Sequence, residues 1–239
     1  MKTRAVKALC MLVVLVSGFL TLAPDAGGGV SPIAGRSEGT RTGDHTRLGN
    51  TLNYRWICNA SDGGERELSL RFNVGSWQGM QSEYGRRDHS VTKKWEKRFI
   101  FDDPYRGDLA AVAAALNQEA ARQGIHVVDV ALSFVQSFSH SEWTGQRYAI
   151  ETLIDQTGDC SDKCMLLAGI FWELGIDYVI LDLPGHLALA VWSVPPVGYH
   201  YWSRGRTYSY CETNGGLRPV GYCPEEFRNV GAGIRHPTW

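Results

Sequence analysis

Residues 158–175, GDCSDKCMLLAGIFWELG, narrow what this chain can fold into more than any other stretch. Cys160 follows Gly158 and Asp159, the apolar positions Met165, Leu166, Ile170 and Leu174 come next, and Gly175 stops the run. That spacing predicts a capped amphipathic helix with a thiol in its first turn.

The flanking segments supply the rest of an α+β arrangement. After the helix, Asp177–Leu183 (DYVILDL) reads as a strand, Pro184 and Gly185 as its turn, and His186–Trp192 (HLALAVW) as the returning strand. A third strand is predicted over Thr207–Thr213. Before the helix, Leu109–Arg122 is alanine-rich and helical in pattern. His126–Phe138 forms a second helix with Val127, Val130, Ala131, Phe134 and Val135 on one face. The stretch SHSEWTGQRYAI between that helix and the thiol helix is read as a loop, and 75–103 as a loop with room for a short helix. Alternation on both sides of SDGG predicts a β-hairpin over Leu52–Val74, and Asn59 with Ser61 forms a glycosylation acceptor pattern at its turn. One domain over residues 51–239 is expected, its nucleophile helix packed on an antiparallel sheet.

The N-terminus carries an address. Lys2, Arg4 and Lys7 precede the apolar stretch Ala8–Ala23, so residues 1–26 read as a signal peptide or membrane anchor, with membrane attachment through residues 8–23 as one outcome. Residues 27–50, rich in glycine, serine and threonine, read as a flexible linker. An exported protein is expected, at the cell surface, in the periplasm or outside the cell. A net charge of -1 and a pI of about 6.6 argue against nucleic acid as a partner. Beyond Cys10 in the leader, the five cysteines Cys58, Cys160, Cys164, Cys211 and Cys223 are an odd number for an oxidising space. Four can form disulfides and leave one thiol reduced, but spacing does not choose the pairs.

Chemistry centres on Cys160. A free thiol titrates near ~8.5, and a helix N-terminus contributes about 0.3–1 kcal/mol where one pKa unit is ~1.4, so the dipole alone is too weak to activate it. A cationic partner is needed. His186 begins a strand just after the Pro-Gly turn and so meets a helix end, and Glu212 on the next strand can orient it. For an oxyanion, the backbone N–H of Cys160 is one donor, and Gln136 or Trp143 is the candidate second. Asp162 reads as a brace in the first turn and Glu151 as structural. Zinc is a competing use of Cys160, Cys164, Cys211, Cys223 and His186, but only the first two have knuckle spacing, and both lie on a helix. No metal and no cofactor are expected. The other alternative is a disulfide from Cys160 to Cys211, which would leave no nucleophile.

The pieces FVQS, ETL, GDCSDK, a leucine-rich helix ending in ELGID, PGH and CET, in that order over roughly 103–222, resemble the transglutaminase-like core of exported or membrane-associated prokaryotic proteins. The resemblance implies a papain-like thiol fold with Cys160 as nucleophile, His186 as base and Glu212 as acid, and it favours Gln136 as the oxyanion donor. Many relatives carry aspartate where this chain has Glu212. It further implies a thioacyl enzyme resolved by water (peptidase or amidase) or by an amine (transglutaminase), acting on proteins or peptides, the cell envelope included. The rival reading is a non-catalytic surface module for a peptide or glycan, with Trp192, Trp202, Tyr199, Tyr201, Tyr208 and Tyr210 around the cleft.

Overall fold

A computed structural model of the chain describes residues 43–60, 63–73, 95–100, 106–142, 145–193 and 195–237. The expected leader, most of the expected linker, Ser61 of the acceptor pattern and Trp143 lie outside the described residues.

In chain order the elements are β1 (Gly43–Leu48), β2 (Thr51–Asn59), β3 (Glu65–Asn73), α1 (Trp95–Ile100), α2 (Arg106–Gln123), α3 (Val127–Gln136), β4 (Ser139–His140), α4 (Ala149–Asp155), β5 (Thr157–Gly158), α5 (Cys160–Glu173), β6 (Tyr178–Leu183), β7 (His186–Trp192), β8 (His200–Ser203), β9 (Arg206–Cys211) and β10 (Gly233–Arg235). The class is α+β with antiparallel main sheets, as expected. Three details differ from expectation. Gly43–Leu48 pairs with β2 instead of trailing as linker, α4 occupies part of the expected loop, and short strands β8 and β10 close the two edges of the second sheet.

The first sheet, β1-β2-β3, buries one face by strict alternation: Leu52, Tyr54, Trp56 and Cys58 on β2, and Leu68, Leu70 and Phe72 on β3. That face lies on α3. Trp56 Nε1 donates to Ser133 Oγ at 3.1 Å, and the Trp56 and Tyr54 rings meet Phe134 edge-on at 5.1 and 5.0 Å. Tyr54 Oη donates to the Leu153 carbonyl, tying the sheet to α4 as well.

The second sheet runs β10-β6-β7-β9-β8, every pair antiparallel. Both of its faces are covered, which is why β6 and β7 read as nearly continuous apolar runs. Tyr178, Ile180, Leu187, Leu189 and Val191 join the core shared with the helices. Val179, Leu181, Ala188, Ala190 and Tyr210 face a second core roofed by Tyr199, Phe227 and Ile234.

Helix α5 is the centre of the molecule. Asp162 to Phe171 are buried without interruption, so the helix is enclosed on all sides. Gly169 admits α2, since a Cβ there would lie 2.6 Å from Leu109 Cδ2. All five cysteines from Cys58 onward are free, so the expected disulfides are absent, including one from Cys160 to Cys211. Cys58, Cys164, Cys211 and Cys223 are each buried separately in the packing of β2, α5, β9 and the C-terminal segment. Among the described residues no helix is long and apolar enough to cross a membrane.

Candidate active site

The thiol's position follows from how α5 begins and what it packs against. Asp159 caps the helix, its Oδ1 accepting from the Asp162 N–H at 2.9 Å, while Asp162 Oδ2 accepts from the Asp159 N–H at 3.2 Å. The chain enters through Gly158, where a Cβ would sit 2.7 Å from Asp162 Cβ. Only glycine lets β5 run straight into the helix. Asp162 is fully buried, and it also accepts from Gln146 Nε2 at 2.9 Å, the Arg147 N–H at 2.8 Å and Arg147 Nη1 at 3.1 Å. It braces the loop before α4 and has no free face for catalysis.

Helix α5 lies along β7 in a register that two contacts define. Cys164 Sγ donates to the Leu187 carbonyl at 3.0 Å. One turn earlier the half-buried Cys160 lies beside the His186 ring, near enough to help raise its pKa. His186 reaches this place because Pro184 and Gly185 (φ 71°) form a two-residue turn between its pairing partner Leu183 and itself.

His186 Nε2 is 3.1 Å from Glu212 Oε2, which leaves Nδ1 for the thiol. The extra methylene of glutamate is accommodated, because Glu212 stands just past the end of β9 and is held at several points. Tyr210 Oη donates to its Oε2 at 3.0 Å, the Asn214 N–H to its Oε1 at 2.9 Å, and Gln136 Nε2 to its main-chain carbonyl at 2.7 Å. Burial alone lowers the His186 pKa. The neighbouring Cys160 thiol and the Glu212 carboxylate outweigh it and raise the value to about 9.

Gln136 is not an oxyanion donor. Its Nε2 donates to the Glu212 and Arg218 carbonyls, and its Oε1 accepts from the Arg218 N–H, so both amide protons are spent holding the Glu212 loop. Glu151 caps α4 through the Tyr148 N–H, a structural role. Among the described residues no three His, Cys, Asp or Glu are gathered to hold a metal ion.

The aromatic set expected around the cleft divides: Tyr199, Tyr201, Tyr208 and Tyr210 pack together in the second core, with Tyr201 against both Tyr199 and Tyr210. Tyr208 and Tyr210 are buried there, whereas Trp192 stands at the far end of β7, six residues or about 20 Å along the strand from His186. A cavity of about 890 Å³, lined in part by Val128, Val191, Trp192, Val197 and Pro219, opens at that far end. The Cys160 thiol is not in it.

Lys163 was not among the residues singled out from the sequence, and Tyr210, expected in an aromatic cleft wall, instead donates to Glu212. Lys163 is 3% exposed, and its Nζ donates to the Phe138 carbonyl at 2.7 Å, where α3 has just ended. Burial lowers its pKa to about 8 against the pull of Glu212, Cys164 and Cys160. The apolar run after it was the signal that this lysine faces inward.

His186 and Lys163 give stability opposite pH dependences. The His186 contribution is complete below its ordinary 6.5 and is lost as pH rises through about 9. The Lys163 penalty is complete below about 8 and is relieved as pH rises toward 10.5. Their sum is a shallow minimum between about pH 8 and 9, to be seen in urea midpoints measured from pH 6 to 10.5. Lys163→Met is expected to remove the recovery above that minimum, and an unchanged curve in the variant would contradict the assignment.

Comparison with protein-family models, curated proteins and solved structures gives no match to this chain.

Proposed function

We propose that this protein is a thiol-dependent acyl-transfer enzyme acting on amide bonds of proteins or peptides, built on a papain-like core of the transglutaminase-like type. The observation that carries this reading is the order Cys160, His186, Glu212 in space: a half-buried thiol near enough to His186 to help raise its pKa, and on the other side of the ring a buried, multiply held carboxylate hydrogen-bonded to it. The thiol helix against an antiparallel sheet that carries the histidine favours the papain-like arrangement.

In this reading Cys160 gives its proton to His186 and attacks the substrate carbonyl carbon, moving the C=O π pair onto oxygen. The Cys160 N–H, first of the helix, donates to that oxyanion. Collapse breaks the C–N bond as imidazolium protonates the leaving amine, and the acyl group stays on Sγ. Water or a second amine then attacks the thioester while His186 takes its proton, and Sγ leaves. Glu212 keeps the ring in line throughout and does not change protonation. Residues 1–26 address the chain for export, which puts its substrates outside the cytoplasm.

The test is iodoacetamide labelling of the native protein with peptide mapping. Labelling is expected at Cys160 ahead of the others, since burial pushes the Cys164 and Cys211 thiols far up and the Cys223 thiol to about 11. Cys160→Ala should abolish both the fast label and any release of amine from casein or envelope peptides. A native protein whose Cys160 labels no faster than its buried cysteines would end this reading.

A further inference from the structure

The face of the His186 imidazole is covered by an aromatic ring from the C-terminal segment. Phe227 lies parallel to it, with centroids 4.5 Å apart and an interplanar angle of 7°. The covering turn is itself fastened. The Phe227 N–H donates to the Pro224 carbonyl, Arg228 Nε to the Cys223 carbonyl at 3.0 Å, and the Asn229 N–H to Tyr199 Oη at 2.8 Å.

We propose that Phe227 is a positioning residue for His186: its π-face stabilises the imidazolium and holds the ring plane so that Nε2 stays on Glu212 and Nδ1 on Cys160. This rests on the thiol-enzyme reading for its purpose, but not for its measurement. A parallel ring at this distance presents its negative face to the imidazole, so it favours the protonated over the neutral form. It also removes water from one side of the ring, which strengthens the Glu212 hydrogen bond. Hydrophobic cover alone would do the second and not the first.

The groups that face or flank His186 are few enough to separate. Cys160 comes from α5 and Glu212 from beyond β9, with the Tyr210 hydroxyl behind it. Glu225, Glu226 and Arg228 flank Phe227 on the covering turn, Lys163 lies near Glu212, Cys164 and Cys160, and Asp182 of β6 is paired with Arg235. A change confined to the Phe227 side chain leaves all of these charges in place.

The experiment is a pH titration of the His186 ring nitrogens in ¹⁵N-histidine-labelled protein, assigned by the signal lost in His186→Gln. Phe227→Leu, which keeps an apolar cover without a π-face, is expected to lower the midpoint by about half a unit to one unit. Phe227→Trp is expected to leave it unchanged or raise it. Should the leucine variant fail to fold, fluorinated phenylalanine at position 227 keeps the shape and drains the ring face, and the midpoint should fall stepwise with fluorine count. A midpoint that does not move with leucine, or with fluorination, overturns the proposal. Iodoacetamide reactivity of Cys160, measured on the same samples, reports separately on the thiol-enzyme reading, so the failure of one is distinguishable from the failure of the other.

Discussion

His186→Gln is expected to cost about 10⁴-fold in turnover of an amide substrate, yet to slow iodoacetamide alkylation of Cys160 at pH 7 by only about tenfold. The two reactions ask different things of the imidazole. Alkylation needs only thiolate, and an unassisted thiol is a few per cent ionised at neutrality, so losing the imidazolium costs at most about thirtyfold. Part of that returns, because a more basic thiolate is the better nucleophile. Amide cleavage also needs a proton delivered to the leaving nitrogen, and that role is worth a further 10²–10⁴. Glutamine fills much of the ring's volume and can still donate to Glu212, which keeps the Tyr210 and Asn214 contacts in place. Equal losses in the two assays would limit His186 to ionising the thiol. No loss in either would remove it from the chemistry. The wild-type rate should also fall as pH rises through about 9, where the imidazolium is lost, and the variant should lack that descent.

What could be read from the sequence was whatever local chemistry fixes. The cap at Asp159, the stop at Gly175 and the Pro184-Gly185 turn are short-range signals, and they placed Cys160 at a helix start and His186 at a strand start. Glu212 followed from strand spacing, although it stands one residue past the end of β9. What could not be read depends on partners far along the chain. β1 is an edge strand with only His45 buried, so its composition is that of a linker, and its place comes from pairing with β2. β8 and β10 have four and three residues, too few for a period to show. Gln136 carries no mark that its amide will be used on main chain 76 and 82 residues away. The cysteines of a chain read as exported suggested pairing, but count carries no distance, and all five from Cys58 onward are free.

The second large effect concerns the brace beneath the nucleophile. Asp162→Ala is expected to destabilise the protein by about 3–5 kcal/mol, measured as a lower urea midpoint with an unchanged slope. The carboxylate is fully buried and takes four hydrogen bonds, one of them from the Arg147 guanidinium, whose side chain is only 10% exposed. Alanine leaves that buried cation without its close counter-charge. Asp155, 3.8 Å from Arg147 Nε and 33% exposed, is a weak substitute. Asp162→Asn separates charge from shape. One side-chain oxygen can still accept from Gln146 and the Arg147 N–H, but an NH₂ group then faces two donors, Arg147 Nη1 and the Asp159 N–H, at a cost of roughly 2–3 kcal/mol. Because Asp159 N–H is half of the capping box, both variants loosen the turn that carries Cys160. The fast alkylation should therefore fall per folded molecule as well as with the folded fraction. If the folded variants label at the wild-type rate, Asp159 alone holds the thiol in place, and the Asp162 brace serves stability without setting the geometry of the site.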